Sequence, residues 1–135
     1  MTPDLRRGRQ CIFALNVHLV FLTKYRRSIF TDEHLMTIRA SAEKVCGDFG
    51  ASLREFNGER NHVPLLVSYP PKVSISSLVN SLKGVTSRIL RNRFPELETS
   101  CCKGKLWSPS YFAASCGGAP LEKLKAYVES QNRPD

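Results

Sequence analysis

Residues 14–23, ALNVHLVFLT, are dominated by apolar and β-branched side chains without helical spacing, and the run reads as a buried strand. The period then changes. After the basic loop KYRR at 24–27, Leu35, Ile38, Ala42, Val45 and Phe49 recur at helical intervals. They predict a helix capped by Thr31 or Asp32 and stopped by Gly50. ASLREFNGER, 51–60, predicts a short second strand and a turn at Asn57-Gly58, a hairpin signal. HVPLLV, 62–67, predicts an antiparallel neighbour of that strand, stopped by Pro70-Pro71. Ser74 then caps a helix to about Phe94, ended by Pro95, with Ile75, Leu78, Val79, Leu82, Val85, Ile89 and Leu90 as its core stripe. YFAAS, 111–115, predicts a fourth strand. Gly117-Gly118 forms a joint, and Pro120 opens a last helix to about Gln131.

The order βαββαβ plus a C-terminal helix predicts an α+β, ferredoxin-like fold, an antiparallel sheet with both main helices on one face. The whole chain, 1–135, reads as one domain, with a basic N-terminal arm at 1–13 and a C-terminal helix and tail at 119–135. The first and third strands of such a sheet are central. That places Pro64 inside a central strand, where a proline normally removes a ladder hydrogen bond.

Charge narrows the function. Twenty Lys and Arg against twelve Asp and Glu give net +8 and a pI near 9.5, the electrostatic footprint of a nucleic-acid binder or of a basic but inert surface. With 41% hydrophobic residues the chain can bury a core, and no apolar run has the length of a membrane span. No secretory leader pattern follows the basic N-terminus. The five cysteines, 11, 46, 101, 102 and 116, include no C-x-x-C pair. They read as free thiols of a cytoplasmic protein without a zinc site.

The candidate chemistry is sparse. Alternate strand residues share a face, so a His-x-His triplet would offer two imidazoles to a divalent metal. This chain has His62-Val63-Pro64, and spacing alone makes His62 an ordinary strand-end histidine. In KLKAYVESQ, Tyr127 and Gln131 fall four apart on one helix face. A tyrosine oxygen can attack phosphorus and an amide oxygen can ligate a hard cation, although Tyr127 equally extends the stripe of Leu121, Leu124 and Val128. Lys24, Arg26, Arg27, Lys83, Arg88, Arg91 and Arg93 are candidates to track phosphates. Trp107, with Tyr111 and Phe112, is a candidate stacking platform for unpaired bases. His18 and His34 suggest no partner.

Five motifs, VHLVFLTKYRRSIF, NHVPLLVSYPPK, LVNSLKGVTSR, LWSPSYF and KAYVESQ, occur in an order and spacing that resembles the single-tyrosine transposases of small bacterial insertion sequences, in the HUH endonuclease superfamily. The resemblance runs from about Asn16 to Gln131. It implies a homodimer that binds single-stranded DNA with subterminal hairpins. It implies Tyr127 as the nucleophile that forms a 5′-phosphotyrosine, and His62 and Gln131 as ligands of Mg²⁺ or Mn²⁺. Where the family has its second histidine, this chain has Pro64, which offers no ligand. The alternative is a non-catalytic binder of single-stranded or hairpin nucleic acid, or a repressor, derived from such an enzyme.

Overall fold

The computed structural model describes residues 6–7, 12–100 and 105–116. Two short strands, β1 (Arg6–Arg7) and β2 (Ile12–Phe13), pair antiparallel. The main sheet comprises β3 (Asn16–Thr23), β4 (Ser52–Phe56), β5 (His62–Ser68) and β6 (Trp107–Cys116) in the order β4-β5-β3-β6, all antiparallel. Helices α1 (Asp32–Asp48) and α2 (Ile75–Arg93) join them, and a short α3 (Leu97–Ser100) follows. This is the expected ferredoxin-like order, with β3 and β5 in the middle. The expected C-terminal helix, with Tyr127 and Gln131, lies outside the described residues, as do residues 1–5 and 8–11 of the N-terminal arm.

Alternation along the central strands divides the sheet into two faces. Val17, Leu19 and Phe21 of β3 and Val63, Leu65 and Val67 of β5 point into the helix-covered core, against Ile38, Val45, Leu78, Leu82 and Leu90. His18, Val20, His62, Pro64, Leu66 and Ser68 occupy the opposite face and are also buried. An antiparallel sheet often leaves its second face in water; here the two central strands are buried on that face as well.

Helix α1 begins with a reciprocal cap. The Thr31 hydroxyl accepts from the His34 N–H at 3.2 Å, and His34 Nδ1 accepts from the Thr31 N–H at 3.1 Å. His34 thereby has a partner that spacing did not suggest, and its ring stands edge-on to Phe94 at 4.6 Å. The helix ends at Gly50, whose φ of 71° is the left-handed conformation expected of a stop glycine. Helix α2 buries Leu78, Val79, Leu82, Thr86 and Leu90, with Ile75 and Val85 partly buried against the same core, so Thr86 joins the apolar stripe.

One connection and one strand start add detail to the expected pattern. Five residues, 57–61, connect β4 to β5, and the expected turn at Asn57-Gly58 falls within them. Gly58 packs closely there: a Cβ would lie 2.6 Å from Leu35 Cδ2 and 3.1 Å from Phe56 Cε1, so the Leu35 side chain would have to move to admit one. The fourth strand of the main sheet starts at Trp107 instead of 111, four residues earlier than its apolar core suggests.

Pro64 costs the central pairing nothing. The Asn61 carbonyl accepts from the Thr23 N–H, so odd-numbered residues of β5 direct their backbone groups toward β3. The His62 and Pro64 carbonyls accept from the Glu59 and Asn57 N–H groups at 2.8 and 3.1 Å, so even-numbered residues face the other way. Val20 and Pro64 therefore form a non-hydrogen-bonded pair. The missing N–H is directed at Asn57, just beyond the last residue of β4. The expected loss of a ladder bond inside the sheet is corrected to the loss of one loop bond.

Candidate functional site

At one end of the sheet, β3 ends, β5 begins and β6 begins, and the loops 24–27 and 57–61 meet. Thr23 fastens them together. Its hydroxyl lies 2.8 Å from the Arg27 carbonyl and 3.2 Å from the Asn61 carbonyl, and its N–H donates to Asn61. The Arg60 carbonyl accepts from the N–H groups of Ile29 and Phe30, both at 3.1 Å, and the Lys24 N–H donates to the Leu106 carbonyl at 3.0 Å.

The KYR segment, Lys24–Arg26, turns in an unusual conformation. Tyr25 and Arg26 both have positive φ, 60° and 56°, where a side chain normally costs energy. Tyr25 stays 53% exposed, with the Lys24 ammonium 5.3 Å from its ring centroid. Burial of the Tyr25 ring therefore does not offset the strain; hydrogen bonds to the loop backbone hold it.

His62 lies beside this turn, opposite Leu22 in the register. Its Nδ1 is 2.7 Å from Asn61 Oδ1, and the other end of the same amide, Nδ2, donates to the Arg26 carbonyl at 3.4 Å. The Arg26 carbonyl can only accept, which fixes the orientation of the amide. The acceptor end of the amide, Asn61 Oδ1, therefore faces His62 Nδ1.

The donor set for a metal is thin. Pro64, two residues along on the same face, supplies no donor. His18 shares the face but stands opposite Leu66, about 13 Å along the strand from His62 at ~3.3 Å per residue. Among the described residues no three His, Cys, Asp or Glu side chains gather into a metal cluster. His62 is one nitrogen ligand and does not fit a metal by itself.

The cationic candidates separate into two groups. Lys24, Arg26 and Arg27 lie at the His62 end, joined there by Arg60 and Lys105, which charge counting alone did not single out. Lys83, a candidate for the DNA face, donates to the Ser108 carbonyl at 2.5 Å and lies 5.8 Å from the Tyr111 ring, tying α2 to β6. Arg91 reaches Ser87 Oγ at 3.2 Å and the Glu98 carboxylate at 3.7 Å. Arg88 is exposed.

The stacking assignment for Trp107 is corrected. Its ring is buried edge-on against Phe21 and Phe30 at 5.7 and 5.5 Å, and its Nε1–H donates to Thr86 Oγ1 at 3.1 Å. Among the described residues, exposed aromatic surface belongs instead to Tyr25 and Tyr111.

A family model described as "Transposase IS200 like" matches residues 11–131. The chain belongs to the IS200-like transposases. It is 26% identical to the ISDra2 transposase TnpA of Deinococcus radiodurans over 129 residues, covering 96% of this chain and 92% of that protein. It is 29% identical to the transposase for insertion sequence element IS200 of Salmonella typhimurium, covering 87% of this chain and 77% of that one. Among solved structures, a Deinococcus radiodurans R1 protein assigned as a transposase superposes with a TM-score of 0.81 at 28% identity, over 93% of this chain and 97% of its own. A REP-associated tyrosine transposase bound to a REP hairpin shares the fold, with a TM-score of 0.59 at 14% identity over 92% of this chain and 68% of its own. No described helix of this transposase-family chain is long and apolar enough to cross a membrane.

Proposed function

We propose that this chain is a single-tyrosine strand transferase that binds hairpins of single-stranded DNA and acts as a homodimer in the cytoplasm. The observation that carries the reading is the extent of the family match: residues 11–131 include His62, Tyr127 and Gln131 together. In the proposed step the Tyr127 oxygen attacks the scissile phosphorus and the P–O3′ bond breaks. The tyrosine gives up its proton, the departing 3′ oxygen takes one up, and a 5′-phosphotyrosine remains. The phosphoester energy is retained for rejoining, so no nucleotide cofactor is required. His62 and Gln131 are the residues that would hold Mg²⁺ or Mn²⁺, which when bound would polarise the phosphate. The Lys24–Arg27 turn, Arg60 and Lys105 would neutralise phosphates at the same end of the sheet.

The test is covalent capture. A labelled hairpin-bearing strand incubated with Mn²⁺ should give an adduct that survives denaturation, and Tyr127→Phe should abolish it while hairpin binding persists. An adduct of equal yield in Tyr127→Phe would assign the attack to another group. Pro64 favours a second reading, hairpin binding without cleavage. Tight hairpin binding with no adduct in either protein would establish it. The hairpin held by the REP-associated relative supports the binding half of both readings.

A further inference from the structure

We propose that Asn61 is a positioning residue: its carbonyl oxygen holds His62 in the Nδ1–H tautomer, so that Nε2 carries the lone pair, while its amide N–H holds the strained 24–27 turn beside that ring. The inference stands on two bonds made by opposite ends of one side chain, 2.7 Å to His62 Nδ1 and 3.4 Å to the Arg26 carbonyl. A free histidine side chain favours the opposite tautomer, with the proton on Nε2, so the bond at Nδ1 reverses an intrinsic preference. The backbone of Asn61 is itself immobilised, since its carbonyl accepts from the Thr23 N–H at 3.0 Å and lies 3.2 Å from the Thr23 hydroxyl. The amide therefore works from a rigid mount. One face of it selects which ring nitrogen is basic, and the other sets where the cationic turn lies relative to that nitrogen.

The catalytic meaning of this arrangement rests on the reading of His62 as a metal ligand, but the tautomer does not. Long-range ¹H–¹⁵N correlation of the histidine rings, at a pH where the imidazoles are neutral, reads the tautomer directly. In the native protein and in Asn61→Asp, which keeps the acceptor, His62 should show a protonated Nδ1 and a lone-pair Nε2. In Asn61→Leu the proton should shift toward Nε2. A native ring protonated at Nε2, or a pattern unchanged in Asn61→Leu, would overturn the inference.

Mn²⁺ titration of the same samples separates the two claims. Loss of the His62 ring signals at low Mn²⁺ is expected in the native protein and in Asn61→Asp. Asn61→Leu should need roughly 10–100-fold more metal, the usual loss on removing a ligand's orienting partner. Equal Mn²⁺ affinity in Asn61→Leu would overturn the positioning role toward the metal. A native His62 insensitive to Mn²⁺ while protonated at Nδ1 would overturn the metal reading and leave the tautomer assignment standing.

Discussion

Trp107 and Thr86 share a hydrogen bond inside the core, indole N–H to threonine hydroxyl at 3.1 Å, and through it the first residue of β6 is locked to the middle of α2. Thr86 in turn donates to the Leu82 carbonyl at 2.6 Å. Thr86→Val keeps the shape but leaves the indole N–H unsatisfied, which should cost about 1–3 kcal/mol. Trp107→Ala should cost about 3–5 kcal/mol. Urea titrations will measure both. DNA affinity per folded molecule should be unchanged in Thr86→Val, and a loss there would return Trp107 to the binding surface.

The reach of Pro64 is set by the register. Because its missing N–H is directed at Asn57 and not at β3, Pro64→His should restore at most one loop bond, worth about 0.5–1.5 kcal/mol. The larger effect should be on metal, because the new imidazole would stand on the face of His62. Calorimetric Mn²⁺ titration should show a gain of about tenfold or more, since losing even an orienting partner typically costs 10–100-fold. Equal affinity in the two proteins would mean that another group already completes the coordination.

Tyr25 carries a stability cost in a basic turn. Tyr25→Gly relieves a left-handed φ of 60° and removes only an exposed ring. Stability should hold or rise by up to about 1 kcal/mol, as measured by thermal unfolding. Affinity for single-stranded DNA should fall at the same time, by about 1–3 kcal/mol if the ring stacks on a base. Unaltered DNA affinity would leave the strain without a binding role.

Cys46 gives a pH dependence with a definite sign. Complete burial of its side chain, with Glu43 adding repulsion, pushes the thiol from 9.0 up to about 11. The folded state thus holds this proton more tightly than the unfolded chain. Its contribution is whole below pH about 9 and is lost as pH rises through about 11, on the order of 2 kcal/mol. The difference in urea-unfolding stability between the native protein and Cys46→Ala should shrink across that window. A difference constant with pH would show that the thiol ionises alike in both states. In the native state the thiol should also resist alkylation.

Hydrophobic period revealed most of the architecture, because the central strands β3 and β5 and the helices α1 and α2 each bury a continuous face. The starts of α1 and α2 were legible for the same local reason: Thr31 and Ser74 accept from backbone N–H groups three residues on. What escaped depended on distant groups. The burial of Trp107 is decided by Phe21, Phe30 and Thr86, and no local pattern distinguishes a stacking tryptophan from a core one. Lys83 counts as a cation in the sequence, and its bond to the Ser108 carbonyl joins two elements that are distant in sequence. Pro64 looked disruptive because the direction of its missing N–H follows from strand register, which no spacing rule gives. His62 was visible only as a lone imidazole. The amide that orients it is its immediate neighbour, and an asparagine before a strand reads first as a turn residue.

The order β4-β5-β3-β6 also governs how the molecule is made. Asn16 is paired with Cys116, so one flank of β3 has no strand to meet until almost the whole described chain has been synthesised. During that interval a segment rich in Val, Leu and Phe is an unprotected edge, open to pairing with another nascent chain. Closure of the sheet is a late, long-range event of the kind that slows folding. Expression yield should therefore respond more to chaperone supply and translation rate than the thermodynamic stability of the finished fold would suggest.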